Sequence, residues 1–114
     1  MDRFYPKRFA PWPDGQGAYD HFNVKYFGGG LPIVYVGLYK MKNYTYGCTI
    51  RQHGMKYCSH ILLNPYFKNW YNILYHTILH ECIHVKHNNK HGHGPKFQKE
   101  LRRLVRAGAF DDFL

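Results

Sequence analysis

The residues of this chain best suited to chemistry are His80 and His84, which flank Glu81 in an H-E-x-x-H pattern. On an α-helix, residues four positions apart lie one turn apart on the same face, so two such imidazoles can bind one metal ion. Zinc accepts imidazole nitrogens in tetrahedral sites, and the glutamate of this pattern serves as a base beside the metal. The pattern therefore predicts a hydrolase with one Zn²⁺ ion and Glu81 as the catalytic base, and it favours a peptidase.

A catalytic zinc site needs a third protein ligand, and several of the chain's nine histidines lie near enough to the motif to be considered for it. His76 lies one turn before the motif, but Thr77 follows it, so that pair lacks a base. His87 lies beyond the motif on the same helix, and histidines strung along one straight helix do not converge easily on one ion. The metzincin pattern needs Gly and His where this chain has His87 and Lys90. We therefore expect solvated or hydrogen-bonded histidines at positions 76 and 87.

Two histidines, His91 and His93, follow the end of that helix. Residues 88–90, Asn-Asn-Lys, indicate a helix stop and a turn. Gly92 and Gly94 flank His93 and let the backbone fold back toward the metal. This turn chemistry favours His93 as the third ligand and leaves His91 as the alternative.

The motif must be positioned by the apolar segment around it. Over residues 70–87, apolar side chains surround nearly the whole helix axis, which is typical of a buried helix. Thr77, His80, Glu81 and His84 interrupt the apolar surface on one side only. Because an unpaired buried polar group costs roughly 2–7 kcal/mol, we expect these residues to face a metal or hydrogen-bond partners. The alternative is an exposed, solvated stripe, which does not account for the spacing of the motif.

The rest of the pattern predicts an α+β fold in which a three-stranded antiparallel sheet packs on the central motif helix. The strands are expected to be antiparallel because their connections are short. We expect an irregular lead-in over residues 1–14, a first helix over 16–27, strands over 32–39, 44–51 and 59–63, and a final helix over 95–107. With 114 residues and no linker or repeat, the chain is expected to be a single domain over residues 1–114.

The final helix is predicted to be amphipathic and basic. Its apolar stripe is formed by Phe97, Leu101, Leu104 and Val105. Its opposite face carries Lys96, Lys99, Arg102, Arg103 and Arg106. Together with a formal net charge of +9, this face predicts contacts with the phosphates of a nucleic acid, DNA first. The alternative is a solvated face that serves solubility.

Composition excludes several other classes of protein. The cysteines, Cys48, Cys58 and Cys82, form no C-x-x-C pair, so no zinc ribbon is predicted and free thiols are expected. No apolar run approaches the roughly 18 residues of a membrane helix, so we expect no membrane contact. The N-terminal residues lack a signal-peptide core, which favours a cytoplasmic location.

The order of helix, small sheet, H-E-x-x-H helix, Gly-His-Gly-Pro turn and final helix resembles the SprT-like (Spartan-type) metalloprotease family. The most specific matching element is Gly-His-Gly-Pro-x-Phe at residues 92–97, after the motif. The other matching stretches are residues 19–23, 26–29, 31–32, 61–65 and 80–84. The resemblance extends over residues 16–106, which is nearly the whole chain.

The resemblance implies a zincin-like fold with zinc on His80, His84 and His93, and with Glu81 as the base. It also implies DNA-dependent cleavage of proteins that are bound or crosslinked to DNA. The compact size favours a bacterial or phage protein associated with the nucleoid. One rival is a non-catalytic, zinc-stabilised nucleic-acid-binding module, which has no need of Glu81. A phosphodiesterase is disfavoured, because such sites usually recruit more carboxylates than seven acidic residues can supply near the motif.

Overall fold

The strands and helices of the computed structural model, which describes residues 8–42 and 45–111, form an α+β fold, as the sequence predicts. In chain order they are strand β1 (Ala10–Pro11), helix α1 (Pro13–Phe27), strands β2 (Tyr35–Leu38), β3 (Gly47–Ile50) and β4 (His60–Leu63), a 3₁₀ turn (Pro65–Phe67), and helices α2 (Tyr71–Lys86) and α3 (Pro95–Arg106). Residue 44, the start of the second predicted strand, lies outside the described residues.

The sheet is mixed and has four strands, in the order β1-β2-β4-β3. Strands β2 and β4 pair in parallel, and the other two pairs are antiparallel. The prediction of three antiparallel strands is therefore wrong. Strand β4 lies between β2 and β3, so those two strands do not pair with each other despite their short connection. All four residues of β4 are buried, and a strand buried on both faces lacks the alternation that would reveal its place in a sheet.

Strand β1 and the start of α1 lie in the segment predicted to be an irregular lead-in, so that prediction is wrong for residues 10–11 and 13–14; residues 1–7 of it lie outside the described residues. Ala10 pairs with β2, and the Trp12 N–H donates to a carbonyl of β2 over 3.1 Å. Gly37 permits this close approach, because a Cβ atom there would lie 2.6 Å from the Ala10 oxygen. Pro13 then begins α1, since proline fits the first helical turn.

Helix α2 lies at the centre of the fold, and its bounds agree with the predicted helix to within one residue at each end. It packs against α1, α3 and the β3 and β4 strands. Its inner side chains are fully buried: Leu74, Ile78, Leu79, Cys82 and Ile83. Truncating such a leucine to alanine typically costs about 2–5 kcal/mol, so this packing fixes the orientation of the motif face.

The buried face of helix α3 differs from the apolar stripe that the sequence predicts for it. Val105 is 54% exposed, whereas Glu100 is only 6% exposed. The carboxylate of Glu100 is stabilised there by Lys86 at 2.9 Å and by Arg103 at 2.6 Å. The buried face of α3 is therefore rotated toward Glu100, because two cations pair with that carboxylate.

Two exclusions from composition can be compared with the fold. No helix in the described part of the chain has both the length and the apolarity to cross a membrane. Cys48, Cys58 and Cys82 are free, as expected, with Cys48 half-buried and the other two buried.

Candidate metal centre

Three histidine side chains converge on one side of helix α2. The Nε2 atom of His93 lies 3.1 Å from that of His84 and 3.3 Å from that of His80. Nitrogens held about 2.0–2.1 Å from a tetrahedral zinc ion stand roughly 3.3 Å apart, so this donor set fits zinc. His80 and His84 come from successive turns of α2, and His93 comes from the turn before α3.

One aromatic side chain supports all three imidazoles. Phe97, in the first turn of α3, is 2% exposed. Its ring centroid lies 4.9, 4.9 and 4.7 Å from the rings of His80, His84 and His93. The sequence placed Phe97 in an apolar stripe and did not connect it with the histidines, because only the folding back of the chain brings it against these rings.

Two asparagines turn the chain back between His84 and His93. Asn88 and Asn89 have positive φ angles of 54° and 59°, a conformation that asparagine adopts more readily than most residues. The Asn89 N–H donates to the His84 carbonyl over 2.7 Å, and its side-chain amide donates to the Thr49 carbonyl over 2.8 Å. Asn88 Oδ1 accepts from the Cys58 N–H over 2.9 Å. The predicted helix stop therefore also fastens the end of α2 to strand β3.

The surroundings keep two of these imidazoles neutral. Burial, and to a smaller extent the nearby His84, His93 and His76, lower the pKa of His80 to about 4. Burial also lowers the pKa of His84. Because imidazole binds metal only in its neutral form, these side chains are ready to accept a cation at neutral pH.

Glu81 is a buried carboxylate beside the three histidines, and only 5% of it is exposed. Burial raises its pKa to about 7, against the opposing effect of a hydrogen bond from Thr49. That bond runs from Thr49 Oγ1 to Glu81 Oε1 over 2.6 Å. A carboxylate with a pKa near neutrality is suited to take up and release a proton. No spacing in the sequence singled out Thr49, which only the packing of β3 on α2 brings to this carboxylate.

A cavity of about 250 Å³ opens beside this carboxylate. It is lined by Tyr46, Gly47, His76, Thr77, His80 and Glu81. The cavity is therefore open both to one of the three converging histidines, His80, and to the candidate base.

The other candidate ligands lie elsewhere. The exposed His91, the alternative third ligand, has its ring 5.6 Å from that of His87. The ring of His76 packs 4.7 Å from that of Phe110. Over residues 8–42 and 45–111, the one group of histidine, cysteine, aspartate or glutamate side chains placed to hold a metal consists of the three converging histidines.

Curated proteins related in sequence identify the family, although no family model and no solved structure matches the chain. The DNA-dependent metalloprotease dvc-1 of Caenorhabditis elegans is 33% identical over 111 residues, which is 86% of this chain and 29% of that protein. The DNA-dependent metalloprotease SPRTN of Bos taurus is 36% identical over 104 residues, 84% of this chain and 21% of that protein. SPRTN of Rattus norvegicus is 36% identical over 102 residues, 82% of this chain and 20% of that protein.

The chain belongs to the SprT-like family. The resemblance seen in the sequence is thereby confirmed. The chain spans less than a third of the length of these relatives, so what they share with it is one SprT-like domain.

A second cavity of this SprT-like domain, of about 440 Å³, lies between the end of α2 and the outer face of α3. Its lining is mostly basic: Lys86, His87, Lys96, Lys99, Glu100, Arg103 and Arg106. Arg103 is held by Glu100 and by a bond to the Tyr26 carbonyl over 2.8 Å. Lys96, Lys99 and Arg106 are exposed and have no ion-pair partner within the described ranges. Arg102, also predicted to contact DNA, lies on α3 but does not line this cavity.

Proposed function

We propose that this domain is a zinc-dependent endopeptidase. The observation that carries the proposal is the convergence of three histidine nitrogens beside a buried glutamate and a cavity. His80, His84 and His93 hold the ion in this proposal. When bound, zinc supplies a Lewis acid that lowers the pKa of water toward about 7 and polarises a carbonyl group.

Glu81 serves as the general base and then as the general acid. Its carboxylate takes the proton of the water that attacks the peptide carbonyl, and it later gives a proton to the leaving amine. Thr49 holds Oε1, which leaves Oε2 as the oxygen that carries the proton. Because the carboxylate is buried, its protonated and ionised forms are close in energy near neutral pH.

The free edge of β3 offers a place for an extended substrate. The carbonyls of Tyr46 and Ile50 accept bonds on the β4 side of the strand, so Gly47 and Thr49 point their backbone groups outward. Asn89 already bonds the Thr49 carbonyl, so Gly47 is the residue best placed to pair with a substrate strand. Backbone pairing of this kind binds a polypeptide with little regard to its sequence.

We further propose that DNA activates the enzyme and that its substrates are proteins bound or crosslinked to DNA. The support is the net charge of +9, the basic cavity on α3, and the relatives named as DNA-dependent metalloproteases. Lys96, Lys99, Arg102 and Arg106 contact the phosphates in this proposal, whereas Arg103 contributes from within its ion pair.

The rival is a non-catalytic, zinc-stabilised nucleic-acid-binding module, and the same basic cavity favours it. The peptidase and the non-catalytic module differ in whether they need Glu81. A purely structural zinc site has no use for a buried carboxylate beside a cavity, and burying one without a function is costly.

Cleavage of a DNA-binding protein separates these proposals. Wild type and Glu81→Gln are compared with zinc present, and with single-stranded DNA, double-stranded DNA or none. We expect cleavage by wild type alone and stimulation by DNA. The double variant Lys99→Gln, Arg106→Gln should lose the stimulation. The control Lys25→Gln, Arg51→Gln, which changes one cation of α1 and one that follows β3, should keep it.

Cleavage that is equally fast without DNA would retain the peptidase and remove the role of DNA. No cleavage, together with salt-sensitive DNA binding that is equal in wild type and Glu81→Gln, would establish the non-catalytic module instead.

A further inference from the structure

Four aromatic side chains form a surface at the N-terminal end of α2, here named the aromatic shelf: Tyr46, Tyr66, Phe67 and Trp70. Phe67 is buried, and the ring centroids of the other three lie 4.7, 5.0 and 5.5 Å from its own. Those three outer side chains are 50%, 59% and 53% exposed. Neighbouring apolar groups left in water on this scale mark a surface that binds something.

The shelf is held rigidly by a buried asparagine. The side-chain amide of Asn64 donates to the carbonyls of Lys42 and Thr45, each over 2.8 Å. Its backbone N–H donates to the Tyr46 carbonyl over 2.9 Å, and its Oδ1 accepts from the Tyr66 N–H over 3.1 Å. Because the backbone that carries these rings is already fixed, little conformational entropy of the protein is lost when a ligand binds to them.

The shelf is continuous with the cavity beside the candidate base. Tyr46 lines that cavity together with Glu81. It also lines a neighbouring cavity of about 190 Å³ with Ile73 and His76. Tyr46 directly precedes Gly47, the first residue of the free β3 edge, so a polypeptide paired along that edge continues onto the shelf.

We propose that the aromatic shelf binds aromatic or large aliphatic side chains of the substrate polypeptide, next to the bond that is cleaved. The inference rests on the proposed peptidase function. Such side chains are mostly buried in folded proteins, so the shelf would select unfolded or extended segments. A nucleic-acid strand needs several cations along its backbone; Lys68 is exposed beside the shelf, whereas the mostly basic cavity lies at the opposite end of α2, beside Lys86.

The test measures binding to the inactive variant Glu81→Gln loaded with zinc, so it does not depend on turnover. The probes are two fluorescein-labelled peptides of equal length and charge, one with phenylalanine and leucine residues and one with serine in their place. Fluorescence anisotropy should show the apolar peptide binding about tenfold more tightly than the serine peptide. Adding Tyr66→Ser and Trp70→Ser should abolish that preference. Ile33→Ser, which removes an exposed apolar side chain elsewhere, should leave it unchanged.

Equal affinity for the two peptides would overturn the inference, and so would a preference that survives loss of both rings. A labelled oligothymidylate that binds more weakly to the ring variants, when the peptides do not, would assign the shelf to unpaired bases instead and also overturn it. If wild type still cleaves protein in these cases, the proposed role of the shelf is wrong and the proposed peptidase function is retained.

Discussion

At the residue scale, the proposed chemistry depends on one hydrogen bond between two buried side chains. Thr49 Oγ1 donates to Glu81 Oε1 over 2.6 Å, and the threonine is 8% exposed. The bond selects one orientation of the carboxylate relative to the cavity. It also stabilises the ionised form, and so opposes the effect of burial on the pKa of Glu81.

Replacing Thr49 by valine keeps its shape and removes its hydroxyl group. We expect kcat to fall by about tenfold or more with little change in KM, because the base loses its orientation. The pKa of Glu81 should rise, so activity should be lost at a higher pH as the solution is acidified. Thr49→Ser retains the hydroxyl group and should keep both the rate and the pH profile. Steady-state kinetics across pH, with melting temperatures as a check on folding, test this prediction.

Equal losses in the serine and valine variants would contradict the role of the hydroxyl group. So would a lowered rate in Thr49→Val without a shift of the acid limb.

At the element scale, α2 and α3 are joined by a buried carboxylate. Burial alone would raise the pKa of Glu100, but the hydrogen bonds from Arg103 and Lys86 outweigh burial and lower it. A group whose pKa is lower in the folded state stabilises the fold above its unfolded pKa. That contribution is lost as the pH falls below about 4.3 toward the folded value.

We expect Glu100→Gln to lower the free energy of unfolding by about 1–3 kcal/mol at pH 7, because two cations lose their partner. The two cations are 42% and 45% exposed, so solvent screening favours the lower end of that range. The difference from wild type should shrink at pH values below about 4. Urea unfolding of the metal-free proteins at both pH values measures it, with the exposed Asp20→Asn as the control. A difference that stays constant with pH would contradict the pairing.

The elements also show how far the sequence could be interpreted. Helix α2 was predicted to within one residue, because its apolar surface and motif are local properties of the chain. The place of β4 could not be predicted, since a strand buried at every position carries no alternation. From the sequence alone Glu100 would be placed on the surface, because the sequence does not show that Lys86 of another helix faces it. His80 and His84 were predicted from the spacing of the motif, and His93 was favoured by its flanking glycines, whereas the place of Thr49 depends on how β3 packs.

At the scale of the whole molecule, the proposed sites lie one after another along helix α2. The aromatic shelf, which includes Trp70, lies at the N-terminal end of α2. The basic cavity, which Lys86 lines, lies at its C-terminal end. His80 and His84 lie between them on this helix of 16 residues, and His93 approaches them from the turn before α3. At 1.5 Å per residue this helix is about 24 Å long. DNA held at one end and an extended protein segment held at the other would therefore meet at the proposed catalytic site.

The central claim is that His80, His84 and His93 form the metal site of a peptidase. Zinc content and protein cleavage should be measured together for wild type, His93→Ala and His91→Ala, after metal removal and titration with zinc. We predict that wild type and His91→Ala regain cleavage at one zinc per chain, and that His93→Ala binds zinc weakly and cleaves nothing. Full zinc binding and cleavage by His93→Ala, or their loss in His91→Ala alone, would contradict it.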